Sequence, residues 1–226
     1  TVILPTLSRN HVGKDELGFS GNMDWAVRMV SLLGIPAAAG LGFLAEPILS
    51  VIFQRGAFTA ETARMASYSL MAYAFGLLSF MLVKVLAPGY YSRQDTKTPV
   101  KIGIWCMAAN MLFNLIFAIP YGYVGLAIAT SLSATLNAAL LYIGLSRQKV
   151  YVVSRLTLGF VARVMFSTCA MVAAILWMQQ GVDFTGLALH DKIVSLTLTI
   201  LLAVAVFGGC LFSFGIRVRH FKSKAF

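Results

Sequence analysis

Six long apolar blocks separated by short polar connections restrict what this chain can fold into more than any other property of its sequence. The blocks run near Val27 to Phe53, Ala63 to Leu86, Val100 to Ile119, Val124 to Leu145, Leu158 to Met178 and Ile193 to Phe214. A bilayer's hydrocarbon core is about 30 Å thick and an α-helix rises about 1.5 Å per residue, so about 20 apolar residues make one crossing. Lipid offers no water to the backbone, and a helix satisfies its own N–H and C=O groups where an open strand does not. Barrel strands are about 10 residues long with alternating polarity, whereas these blocks are longer and apolar on every side. The expected fold is therefore all-α, a polytopic transmembrane helical bundle. Composition agrees, with 59% hydrophobic and 12% charged residues against about 25% charged in soluble domains.

The charges order this bundle. Arg9, Lys14 and Arg28 precede or open the first block, and Arg93, Lys97 and Lys101 lie between the second and third. Arg147, Lys149, Arg155 and Arg163 gather around the fourth-to-fifth connection, and Arg217, Arg219, Lys222 and Lys224 follow the sixth block. These alternate connections hold 14 of the 18 basic residues, while the opposite set holds Arg55, Arg64 and Lys192, with Lys84 inside a block. The positive-inside rule makes the basic side cytoplasmic, so both ends of the chain are expected to face the cytoplasm. The net charge of +10 follows from that topology. No basic soluble domain exists to present it to nucleic acid. The opening residues Thr1 to Arg9 lack the layout of a signal peptide and read as the tail of an earlier helix.

Within the blocks, Gly34, Ala38 and Gly42 recur every four residues, as do Gly125, Ala129, Ser133 and Asn137. Such stripes let helices approach closely in lipid, and packing is preferred here to a substrate path. Pro36 removes a backbone donor and is expected to kink the first span. The glycines Gly13, Gly18 and Gly21 read as a flexible polar connection rather than a nucleotide loop.

No catalytic constellation stands out. His11, His190 and His220 are scattered, and Cys106, Cys169 and Cys210 occupy separate apolar blocks without metal-ligand spacing. An enzymatic role is not expected, and no cofactor-binding or metal-binding residues are assigned. The costly residues are charges at membrane depth. Lys84 either faces a wet cavity, meets an acid or snorkels to the interface. Glu46, just before Pro47, reads as an interfacial carboxylate. Asn110 and Asn114 share a helix face, and interhelical hydrogen bonding is preferred to their lining a polar cavity with Asn137.

The stretch KVLAPGYYSRQDTKTPVK, from Lys84 to Lys101, is the most informative. It reads as a helix reaching the interface at Pro88 and Gly89, anchored by Tyr90 and Tyr91 and followed by a charged loop before Pro99 opens the next helix. In that loop Arg93 and Asp95 either pair locally or grip an anion. The same stretch closely resembles a characteristic loop of the MviN/MurJ family, the bacterial lipid II flippases of the multidrug/oligosaccharidyl-lipid/polysaccharide exporter superfamily. LPTLSR at Leu4 to Arg9, MDWAVRMV at Met23 to Val30, AEPILSVIFQRGAFT at Ala45 to Thr59 and LNAALLY at Leu136 to Tyr142 resemble the same family in the same order.

The resemblance implies fourteen helices in the family, two six-helix lobes around a central cavity followed by two additional helices that help form a groove for a lipid tail. The six blocks here would be the ninth to fourteenth. Residues 1–24 would then end a preceding helix and form a cytoplasmic loop, 25–147 would supply four helices of the second lobe, and 148–226 the additional pair with a basic tail. The implied function is alternating-access transport of the undecaprenyl-pyrophosphate-linked peptidoglycan precursor lipid II across the bacterial inner membrane, with lipid II and membrane lipids as partners. The family's cavity arginines lie upstream of the matched segments and transfer to no residue here. Lys84, Arg93 and Glu46 are the charged candidates for substrate binding or gating. A related exporter of another lipid-linked saccharide or drug, or a non-transport membrane scaffold, would present similar blocks.

Overall fold

A computed structural model describes residues 16–54, 58–180 and 188–215. Six helices follow one another: α1 (Glu16–Phe43), α2 (Ala45–Phe53), α3 (Ala60–Tyr91), α4 (Lys97–Arg147), α5 (Arg155–Gln179) and α6 (Leu189–Ser213). Among the described residues there is no strand. Five of the helices are long and apolar enough to cross a membrane, all but the short α2.

The 51-residue α4 is two helices separated by a kink at Gly122. Straight, it would be about 77 Å long, far more than a bilayer needs. Pro120 interrupts the hydrogen-bond ladder and Gly122 leaves helical geometry at φ 55°, ψ −130°, a backbone state that favours glycine. The halves then fold back on each other: Ser133 Oγ donates to the carbonyl of Cys106 at 2.8 Å. At Gly125 a Cβ would collide with the backbone of Phe117. The Gly125–Ala129–Ser133 stripe is thus the seam of this hairpin, and the third and fourth expected spans are its two arms.

The first expected span is broken, but not where its central proline lies. Helix α1 runs through Pro36 without interruption, and the turn falls at Leu44, before Pro47 in the first turn of α2. Proline 47 lacks the N–H that would reach the carbonyl of Phe43 four residues earlier, and its ring crowds that carbonyl. Gln179 at the end of α5 fills the gap, its Nε2 donating to Phe43 O at 3.1 Å. The break in this span is set by Pro47, where a side chain from another helix donates to the orphaned carbonyl. The same helix begins at Glu16, so Gly18 and Gly21 lie in helix rather than in a flexible loop.

Helix α1 packs antiparallel to α3. A Cβ on Gly34 would lie 3.0 Å from Leu78 Cδ1 and 3.1 Å from Met81 Sδ, and one on Gly42 would lie 3.9 Å from Ala74 Cβ. The first small-residue stripe is thus a packing seam, as the spacing suggests. On its other side α1 packs against α5, and α6 packs against α2 and α5. Two apolar clusters hold these layers. One gathers Met23, Val85, Tyr90, Leu141, Leu145 and Tyr151 at one end of the bundle, and the other gathers Leu44, Met171, Ile175, Leu196 and Ala203 toward the opposite end.

Candidate functional site

The side chains of α3 and both arms of α4 enclose an open groove of about 590 Å³. Lys84 lies on its wall, with Asn110, Thr130, Ser133 and Asn137 among the polar residues facing it. Lys84 is exposed, so its ammonium is not sealed in the core, and the groove wall beside it carries polar as well as apolar groups. Asn110 and Asn137 line the groove together, while Asn114 Nδ2 donates to Asn110 Oδ1 at 3.1 Å within one helix. The expected interhelical asparagine bond is thus replaced by an intrahelical one. Asn114 Oδ1 is buried and makes no hydrogen bond among the described residues.

Arg93 and Asp95 do not pair with each other. Arg93 Nη1 donates to Gln148 Oε1 at 3.1 Å, fastening the α3–α4 loop to the end of α4. Asp95 Oδ1 accepts from the amide of Thr98 at 3.0 Å, satisfying one of the free donors at the start of α4. Those hydrogen bonds from Thr98 hold the Asp95 carboxyl below the usual carboxylate range. Glu46 stands half-buried in the first turn of α2, where a carboxylate suits the helix dipole. Because α1–α2 and α3 run antiparallel, Glu46 and Lys84 lie about 20 Å apart along the bundle axis. The fold brings none of Lys84, Arg93 and Glu46 together.

Tyr90 is not an interfacial anchor. It is 1% exposed, and its hydroxyl donates to Leu141 O at 2.8 Å. Space for it exists because residue 144 is glycine: a Cβ there would collide with the Tyr90 hydroxyl. Tyr91, 41% exposed, remains at the surface.

Two buried polar clusters escaped the sequence reading. At one end Tyr151 Oη donates to Asp24 Oδ1 at 2.7 Å, and the amide of Ser154 lies 3.4 Å from the same oxygen. Beside them Arg28 Nε donates to Thr157 Oγ1 at 2.8 Å. Burial pushes the Tyr151 phenol upward, and the Asp24 carboxylate pushes it further. At the other end Lys192 is only 5% exposed, and its Nζ donates to Gln54 Oε1 at 2.7 Å and Ser50 Oγ at 3.2 Å. In sequence it stands only as a basic residue just before the sixth apolar block. MDWAVRMV pointed to the segment that carries Asp24, but its partners are 127 and 130 residues away. Among the described residues no group of histidine, cysteine and acidic side chains is arranged to hold a metal.

A sequence model described as Lipid II flippase MurJ matches residues 1–210. The chain is 52% identical over 224 residues to a probable lipid II flippase MurJ of Vibrio cholerae, covering 99% of this chain and 43% of that protein. It is 48% identical to the Haemophilus influenzae counterpart, covering 99% of this chain and 45% of the relative. In fold it is similar to a lipid II flippase MurJ solved in an inward closed conformation, with a TM-score of 0.74 at 23% identity over 96% of this chain and 44% of that one. The chain thus spans less than half the length of these relatives. With the family's sequence pattern matched over most of its residues and the fold matched over nearly all, this chain belongs to the MurJ lipid II flippase family.

Proposed function

We propose that this chain works as part of a transporter that flips lipid II across the bacterial inner membrane by alternating access, without making or breaking a covalent bond. The observation that carries this reading is the family match over residues 1–210. The groove of α3 and α4 supports it, because it combines a lysine with amide and hydroxyl groups inside an apolar bundle. A cation in such a setting lowers the cost of bringing a pyrophosphate headgroup to membrane depth, while an apolar tail stays in lipid. Lys84 is the residue proposed to assist the headgroup. Arg93 and Glu46 are assigned to gating rather than to the same contact, because Arg93 fastens a loop and Glu46 sits about 20 Å from Lys84. Residues 25–147 form part of the second lobe and 148–226 the additional helical pair. Both ends of the chain face the cytoplasm.

The experiment depletes a host's own flippase and expresses this chain fused behind the upstream portion of the Vibrio cholerae relative. Rescue of growth and of lipid II export is expected from the fusion and not from the chain alone, since alternating access needs one bundle moving against another. Lys84→Met in the fusion should reduce export at unchanged membrane abundance. Full export with that variant would assign Lys84 to simple snorkelling, and failure of the fusion itself would sink the transport reading. Single cysteines at Lys97 and Lys149 should be labelled only from the cytoplasmic side.

A further inference from the structure

The face of α5 that turns away from the bundle carries two arginines in otherwise apolar surroundings. Arg155 and Arg163 are both exposed, among Leu156 at 78%, Leu158 at 66% and Phe166 at 64% exposure. The opposite face of the same helix buries Thr157, Val164, Ser167, Thr168 and Met171. Arg155, Gly159 and Arg163 are spaced four residues apart, so they form one stripe about 12 Å long. A Cβ built on Gly159 would meet nothing within 4 Å, so the midpoint of the stripe is an open notch. Neither guanidinium hydrogen-bonds or ion-pairs with another described residue. The nearby carboxylate of Asp24 is turned to the buried side, held by Tyr151.

An arginine two turns inside a membrane-spanning helix is costly unless its charge is met. Side chains on a helix slant toward its N-terminus, so Arg163 leans back over Gly159 toward Arg155. The stripe then offers a planar, multidentate donor on either side of a gap without a side chain, with apolar groups around it for acyl chains. We infer that Arg155, Gly159 and Arg163 form a binding site for the headgroup of an anionic glycerophospholipid of the surrounding leaflet, its phosphate seated at Gly159 between the two guanidiniums. Charge complementarity selects that occupant over a zwitterionic lipid. The site lies on the α5 surface, away from the Lys84 groove.

The test measures displacement of a fluorescent anionic lipid from the purified chain in mixed micelles, using phosphatidylglycerol, phosphatidylcholine and undecaprenyl pyrophosphate as competitors. Phosphatidylglycerol should compete far better than phosphatidylcholine. Arg155→Gln and Arg163→Gln should each weaken it about fivefold, the effect of one basic residue near a membrane surface. Gly159→Leu should weaken it with the net charge unchanged, whereas Arg64→Gln, at the exposed start of α3, should leave it intact. Circular dichroism verifies that each variant remains helical. Equal competition by the two phospholipids, or undiminished phosphatidylglycerol binding in both arginine variants and in Gly159→Leu, would overturn the proposal. Undecaprenyl pyrophosphate competing more strongly than phosphatidylglycerol would reassign the stripe to a polyprenyl carrier and overturn it as well.

Discussion

Replacing Tyr151 by Phe removes one oxygen from the centre of the buried cluster that joins α1 to the start of α5. The ring stays, so its edge-on packing against Tyr142 at 6.4 Å between centroids is kept. What is lost is a 2.7 Å bond to a carboxylate, leaving Asp24 Oδ1 with the amide of Ser154 at 3.4 Å. Hydrogen bonds to charged groups contribute about 1.5–3 kcal/mol in soluble proteins, while interhelical ones in membranes reach about 1.7 kcal/mol at most. The ranges meet near 1.5 kcal/mol, about a tenfold change in the unfolding equilibrium. Reversible unfolding in mixed micelles of increasing dodecyl sulfate fraction measures this, and the cycle with Asp24→Asn isolates the pair. A Tyr151→Phe loss below about 0.3 kcal/mol would refute the reasoning, because the hydroxyl would then be exchanging its partner for water at no cost. The pH dependence gives a second reading. The folded phenol is held protonated above its ordinary range, so its stabilisation is fully present below pH about 10, where the unfolded phenol titrates, and is lost as pH rises beyond that. The difference between parent and Tyr151→Phe should therefore shrink above pH about 10, by up to about 1.4 kcal/mol per pH unit.

Gly144→Ala should destabilise the bundle by about 1–3 kcal/mol, since its Cβ collides with the Tyr90 hydroxyl; Tyr90→Phe in the same chain should recover part of that loss in the same unfolding assay. Gln54→Leu should cost about 1.5–3 kcal/mol by removing the acceptor 2.7 Å from the buried Lys192 ammonium, and an unchanged unfolding midpoint would show that this bond contributes nothing. Gln179→Ala should be more harmful in the parent than alongside Pro47→Ala, because an amide at position 47 can then take the Phe43 carbonyl itself; additive effects would refute the link between the two residues.

The helical character of the blocks was legible because lipid leaves the backbone one solution and each block is long enough for it. Seam glycines were legible for a related reason: a four-residue repeat of small side chains fixes a face without saying which helix meets it. The break in the first span was not. Both Pro36 and Pro47 lie in that block, and the break falls beside Pro47, which orphans the Phe43 carbonyl; a donor from 136 residues away meets it. Tyr90 followed an interfacial-looking Pro-Gly pair, yet a glycine at position 144 lets it bury. Lys84 was readable as a charge at depth, but its groove required the α4 hairpin to bring Asn110 and Asn137 to one wall. Lys192 shows the converse, a lysine at a block boundary that the fold encloses.

The polar groups are distributed by seam, and that distribution separates two kinds of contact around α1. Its contact with α5 is tied near one end by Asp24 to Tyr151 and Arg28 to Thr157, and beyond the other by Phe43 O to Gln179. Lys192 extends the second tie to α2. The α3–α4 pair is stitched as well, by Ser131 Oγ to Ala72 O at 2.6 Å, Ser79 to Thr135 at 3.0 Å and Tyr90 to Leu141. Between α1 and α3 the packing is apolar, with Gly34 and Gly42 against Leu78, Met81 and Ala74, and Met23 against Gly89 and the Val85–Tyr90 end of α3. Small apolar seams can slide at little cost in hydrogen bonds, while tied seams must break them. On the α3 surface the groove residues Phe80, Val83 and Lys84 point well away from the positions that meet α1. A shift along the α1–α3 seam would therefore carry the whole groove with the α3–α4 unit and leave its walls unchanged, so the groove's shape is fixed by the α4 hairpin.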